Sequence, residues 1–193
     1  SSMITAQRRV ASVPVPLSPC SSASFSNCRE TNGNFCSVVI ITGTAFSVNT
    51  YFMGLEEKVG QCKPAAIAED LGVRRGDGKP LNRVPSFTLG TDEVTPLAMA
   101  GAYGTFANHG TRCQSIAIAR VTDRDGKDLA VPRADCTKVL ERKVADSVTS
   151  ILSQVIDGPL PGRTGRVMSL GRDAAGKTGT TNASASVWFV GFT

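Results

Sequence analysis

Gly171-Arg172-Asp173-Ala174-Ala175-Gly176-Lys177-Thr178 can be read in two ways, and the fold turns on the choice. Its spacing matches G-x-x-x-x-G-K-T, a loop whose backbone N–H groups and following helix hold phosphate. That reading needs a buried strand before the loop and a helix that starts at the Lys-Thr. Before it stands only Arg166-Val167-Met168-Ser169-Leu170, too short and polar for a buried parallel strand. After it come Gly179-Thr180-Thr181-Asn182-Ala183-Ser184 and then Val187-Trp188-Phe189-Val190, a β-type run with no helical stripe. Read instead as a strand, the segment puts Lys177 and Gly179 on one face, Thr178 and Thr180 on the other. Gly179 leaves room for an extended peptide to approach a sheet edge. Lys177 adds a fixed positive charge, and the threonines add hydroxyls able to bind a carboxylate. We therefore expect a hairpin of residues 175–180 and 186–192, joined near Thr181-Asn182-Ala183. Its strands are bulky enough for the middle of a larger sheet, so the sequence reads as a sheet cut short at Thr193.

Outward from this hairpin the sequence reads as mostly helical. Asn49 is placed to cap a helix over 50–59, with Phe52, Leu55 and Val59 on one face and Gly60 ending it. Pro64 suits the first turn of a short helix that Gly72 stops. Thr95 caps and Pro96 opens a helix whose Leu97, Ala100, Tyr103 and Ala107 align on one face as far as Gly110. Gly101 and Gly104 inside it predict a closely packed neighbour, because each lowers helix propensity by about 1 kcal/mol. A further helix over 142–156 carries Val144, Val148, Ile151 and Val155 as its expected buried stripe. Residues 12–26 are rich in Ser and Pro without periodicity, so we read 1–41 as irregular and 42–193 as the folded part.

The composition agrees with a folded domain and narrows its class. Of 193 residues, 41% are hydrophobic and 19% charged, enough apolar surface to offset the entropy of ordering. No apolar run approaches the roughly 18 residues of a membrane span. The net charge of +5 is scattered along the chain, whereas a nucleic-acid binder clusters its charge with aromatics on one face. Nucleic acid is therefore not an expected partner. Six cysteines (Cys20, Cys28, Cys36, Cys62, Cys113 and Cys136) form no C-x-x-C pair, so neither a metal site nor a cofactor is expected. A disulfide-permissive compartment is the better reading. Residues 115–121 and 129–131 read as strands around the turn Asp123-Arg124-Asp125-Gly126, which sets Cys113 opposite Cys136 as a candidate disulfide. His109 reads as a surface histidine near a helix end, and Arg163, Arg166 and Arg172 as a solvated loop.

A second polar triplet, Ser47-Val48-Asn49, lies just before the Phe52 helix. Its two polar side chains diverge on a helix and converge only from a loop. With Thr50-Tyr51-Phe52 behind it, this triplet resembles the S-D-N-type signature of penicillin-binding proteins. Lys177-Thr178-Gly179-Thr180-Thr181, followed by Ser186-Val187-Trp188-Phe189-Val190-Gly191-Phe192-Thr193, resembles the same family's K-T-G signature and neighbouring strand. Leu89-Gly90-Thr91-Asp92-Glu93-Val94-Thr95-Pro96-Leu97 is similar to a linking helix of that family. Together they resemble the transpeptidase domain of class A penicillin-binding proteins, especially actinobacterial ones. The third signature, S-x-x-K, has no match, since no Ser or Thr stands three residues before a Lys.

The resemblance implies an α+β, β-lactamase/transpeptidase-like fold: an antiparallel sheet packed by helices, incomplete and helix-rich in this chain. It also implies acyl transfer from D-Ala-D-Ala stem peptides of peptidoglycan, with β-lactams as mimics of that substrate. By the same resemblance Ser47 would relay a proton to the leaving amine, and Asn49 would hold the substrate amide. Lys177 would attract the anionic substrate, while Thr178 and Thr180, flanked by Gly179 and Thr181, would bind its carboxylate. The backbone N–H of Thr180 would serve the oxyanion hole. The acylated serine and any membrane anchor would lie on the rest of the polypeptide, outside the cytoplasm, and this piece alone would be inactive. Two alternatives stay open at this point: a phosphate-binding loop at 171–178, and a binding module that kept the cleft without its serine.

Overall fold

The computed structural model describes residues 34–193. Five helices dominate it: α1 (Asn34–Ala45), α2 (Asn49–Val59), α3 (Cys62–Asp70), α4 (Pro96–Ala107) and α5 (Arg142–Ile156). Strands β1 (Thr111–Cys113), β2 (Val121–Thr122), β3 (Asp128–Leu129) and β4 (Cys136–Lys138) lie between α4 and α5, and β5 (Ala175–Thr180) with β6 (Val187–Phe192) follows. Each pairing is antiparallel and two-stranded: β1 with β4, β2 with β3, and β5 with β6. The architecture is α+β, with helices packed on short antiparallel ladders.

Helix α5 is the centre of the packing. It lies against α1, α4 and β5, and Val155, Ile156 and Ala174 form the buried apolar cluster there. Its buried face is Ala145, Leu152, Val155 and Ile156, whereas Val144, expected inside, is 49% exposed. The expected stripe is thus turned by one residue. A broad apolar stripe does not say which of two adjacent positions is innermost, and small Ala145 allows the closest approach.

Two other expectations change. Helix α1 occupies Asn34–Ala45, inside the span read as irregular, so the boundary at residue 41 does not hold; residues 1–33 lie outside the described part. Its residues Val38-Val39-Ile40-Ile41 carry no alternation that separates helix from strand, and the run is short. In α4 the cap is as expected, since the Thr95 hydroxyl accepts from the Ala98 N–H at 3.2 Å and Pro96 opens the helix. The buried residues are Ala102 and Thr105, however, and Leu97 is 67% exposed. A Cβ at Gly101 or Gly104 would meet nothing within 4 Å, so neither glycine marks a close neighbour. Almost every α4 residue is small or apolar, which leaves its periodicity without a direction.

The segment from 111 to 138 folds back on itself about the expected turn. Asp123 Oδ1 accepts the N–H groups of Asp125 and Lys127 at 2.9 Å each. The ladders are shorter than expected: β1–β4 and β2–β3 are separated by irregular stretches at 114–120 and 130–135. At the end of the β1–β4 ladder, Cys113 stands opposite Cys136. These two cysteines form a disulfide, with Cα atoms 4.0 Å apart.

Candidate active site at the junction of α1, α2 and β5

Three segments distant in sequence meet beside the N-terminus of α2. The first is the turn between α1 and α2. It folds tightly onto the end of α1, with the Phe46 N–H donating to Thr42 O at 3.0 Å and the Val48 N–H to Gly43 O at 2.9 Å. The turn places Ser47 at φ 55°, a left-handed conformation uncommon for a residue with a Cβ. Such strain persists only where the surroundings hold it, and it clusters at functional sites. Val48 rather than Asn49 occupies the N-cap position, and Asn49 is the first, exposed residue of α2. Its expected capping role is therefore absent.

The second segment is β5. Lys177 pairs in register with Val190, and its Nζ reaches across 130 residues of sequence to donate to Ser47 Oγ at 2.9 Å. The same Nζ donates to the Thr178 carbonyl at 2.9 Å. Lys177 is half-buried, and this desolvation pulls its pKa below the usual lysine value. An ammonium only donates. Ser47 Oγ therefore accepts from Lys177, and its own O–H proton is free to point elsewhere. The third segment is the loop after α5: the Thr178 hydroxyl donates to Thr164 Oγ1 at 2.9 Å.

The remaining expected residues divide. Thr180 is exposed at the end of β5, and a Cβ on Gly179 would meet only Trp188, at 3.8 Å. The outer edge of β5 carries no strand among the described residues, so an extended peptide can lie along it. Thr181 belongs to the turn instead: its hydroxyl accepts the Ser186 N–H at 2.8 Å, and its N–H donates to Ser186 O at 3.0 Å. The structure thus brings together Ser47, Lys177 and Thr178, with Asn49 next to them in sequence.

The family model for the penicillin binding protein transpeptidase domain matches residues 24–193. The chain belongs to this family. The transpeptidase domain is 36% identical over 148 residues to penicillin-binding protein 1A of Aquifex aeolicus, covering 77% of this chain and 19% of that relative. In structure it is similar to penicillin-binding protein 1A of Haemophilus influenzae, with a TM-score of 0.70 over 79% of this chain and 28% of the other, at 24% identity. It is also similar to the PonA1 protein of Mycobacterium tuberculosis in complex with penicillin V, with a TM-score of 0.61 over 80% of this chain and 44% of that one, at 25% identity. The names penicillin-binding protein 1A agree with the class A resemblance of the motifs.

Family membership and strand geometry together overturn the phosphate-loop alternative. Lys177 and Thr178 lie inside β5, hydrogen-bonded to β6, and no helix begins at them. Sequence reasoning missed two residues of the transpeptidase domain near the site. Arg163, expected in solvent, is half-buried and donates from Nε to Ile156 O at 2.9 Å and from Nη1 to Leu160 O at 3.1 Å. It thereby satisfies the last carbonyl of α5, where a cation is favoured, and one in the loop that follows. Thr164, its neighbour, was hidden in a Gly- and Arg-rich connection; the only signal was its place between Gly162 and Gly165. His109 pairs with Asp146 of α5 at 2.6 Å, and that hydrogen bond holds the Asp146 carboxyl below its usual range.

Proposed function

We propose that this chain supplies the Ser-x-Asn and Lys-Thr-Gly walls of a D,D-transpeptidase site that crosslinks peptidoglycan stem peptides by serine acyl transfer. The hydrogen bond from Lys177 Nζ to Ser47 Oγ carries the reading, since it joins the two signatures. The acylated serine belongs to a Ser-x-x-Lys motif that this sequence does not contain. The chain spans 19% of the Aquifex aeolicus relative's length, so the activity is that of a larger polypeptide.

The serine oxygen attacks the carbonyl between the two terminal D-alanines, and the amide C–N bond breaks as the acyl-enzyme forms. Ser47, its oxygen held by Lys177, relays the proton that the attacking serine loses: it gives its own hydroxyl proton to the departing D-alanine nitrogen and is reprotonated with the one from the serine. Asn49 holds the substrate amide. The Lys177 charge and the hydroxyls of Thr178 and Thr180 receive the terminal carboxylate, and the Thr180 N–H faces the oxyanion. An amine from a neighbouring stem peptide then takes the acyl group and releases the serine. β-Lactams, which the PonA1 neighbour binds as penicillin V, enter by the same route and stay attached. A stem-peptide substrate in the cell wall and the Cys113–Cys136 disulfide both support an extracytoplasmic location for the domain.

Labelling with a fluorescent penicillin tests this reading. The 193-residue chain is expected to stay unlabelled, and the polypeptide that carries both this chain and a Ser-x-x-Lys serine is expected to be labelled. A covalent label on the chain alone would place the nucleophile among its own residues. No label on the longer polypeptide would remove the transpeptidase reading.

A further inference from the structure

The loop between α5 and β5 meets the site at four consecutive residues, each with its own partner. Gly162 lies against the Phe46 ring, where an added Cβ would fall 2.7 Å from Cε1. Arg163 ties the loop to the α5 carbonyls of Ile156 and, one turn on, to Leu160. Thr164 donates its backbone N–H to Ala45 O at 2.9 Å and accepts the Thr178 hydroxyl at 2.9 Å. Gly165 is buried against α5, where a Cβ would sit 2.7 Å from the Val155 carbonyl oxygen. A side chain at Gly165 would push the loop off the α5 backbone, and one at Gly162 would displace the Phe46 ring. Thr164 is thus bonded both to the end of α1, two positions before Ser47, and to the Lys177-Thr178-Gly179 strand.

We propose that Thr164 is a positioning residue of the site: it fixes the distance between the Ser47 turn and β5, and it orients the Thr178 hydroxyl. The inference rests on the transpeptidase reading and deepens it. The other contact of the Thr178 oxygen, with Lys177 Nζ, is long at 3.5 Å, and a hydroxyl held only that weakly samples other rotamers. The bond to Thr164 holds it in one. The backbone arm of Thr164 anchors the Ser47 turn without using the side chain, so the two functions are separable by substitution. Removal of the hydroxyl alone costs one net hydrogen bond in the site, which corresponds to about a three- to tenfold slower acylation.

The experiment measures penicillin acylation rates and thermal midpoints of the polypeptide that carries the Ser-x-x-Lys serine, in wild type, T164V, T164S, T178V and T164V/T178V. T164V is expected to slow acylation and to lower the midpoint by no more than the few degrees that one hydrogen bond is worth, T164S to restore both, and T164V to slow acylation no further once Thr178 is already valine. Acylation of T164V at the wild-type rate, independent effects in the double variant, or a midpoint that falls well beyond that of one hydrogen bond would each overturn the role of Thr164. A wild type that takes no label would overturn the transpeptidase reading itself, and this inference with it.

Discussion

Glu56 is the only buried residue of α2, and it is an acid: 7% of its surface is exposed. One of its oxygens, Oε1, has no hydrogen-bond partner among the described residues. Burial raises its carboxyl above the ordinary 4.5, and the Thr88 backbone N–H, which favours the anion, offsets only part of that. The folded chain therefore keeps the Glu56 proton at pH values where the unfolded chain has lost it. By linkage, stability rises as pH falls through the folded pKa and levels off below about 4.5. Glu56→Gln is expected to stabilise the chain by about 1 kcal/mol at pH 7, with the advantage shrinking toward pH 4.5. Urea unfolding at both pH values checks this, and equal stability at neutral pH would mean that Oε1 is satisfied after all. Lys177 carries the opposite sign. Its lowered pKa costs stability while it is protonated, so wild type should gain on Lys177→Met as pH rises toward 10.5. A thermal-midpoint difference between the two that stays flat over that range would contradict the burial of the ammonium. Ser47, Asn49, Lys177 and Thr178 were singled out because together they match two family signatures, and the structure brings Lys177 to both Ser47 and Thr178. Thr164 was not, because a threonine in a Gly- and Arg-rich loop gains meaning only from what folds against it.

At the scale of elements, the α4 cap and the 123–126 turn were readable, whereas the α2 cap and the helix faces were not. Thr95 and Pro96 open α4, and the Asp123–Gly126 turn reverses the β2–β3 ribbon, because local hydrogen bonds decide both. Which face of α4 is buried depends on non-local packing, and its run of Ala, Gly and Met residues carries no contrast. The glycines make this testable. Gly101 sits in the helix interior with open space where a Cβ would go, so Gly101→Ala is expected to stabilise the chain by up to about 1 kcal/mol. Thermal unfolding of that variant decides the point, since a loss of stability would restore the close neighbour that the sequence suggested. Gly165 and Gly162 behave differently: their added Cβ atoms collide with Val155 and Phe46. The same residue type thus marks empty space in one element and forced contact in another.

At the scale of the whole molecule, the outer edge of β6 stands out. The strand is uncharged and largely apolar, its outer edge has no strand partner among the described residues, and Val187 and Phe189 are 69% and 43% exposed. A long apolar edge is a template for pairing with another strand. The isolated chain is therefore expected to associate with rising concentration, and Val187→Lys to reduce that association by placing a charge on the edge. Light scattering across a dilution series measures it; identical behaviour of the two proteins would clear β6 of the role. The sequence read the hairpin of residues 175–192 correctly as β rather than as a phosphate loop, because alternation and the lack of a helical stripe are local properties. Motif identity likewise pointed to the transpeptidase family without any coordinates. Local pattern has no reach beyond a few residues, and so it could not show that Lys177 meets Ser47 across 130 positions. Nor could it show that Thr164 joins α1 to β5 or that α4 buries Ala102 and Thr105 while Leu97, Ala100 and Ala107 stay exposed. Those outcomes depend on how α5 packs against α1, α4 and β5 at once, a competition for one buried volume that only the folded chain resolves.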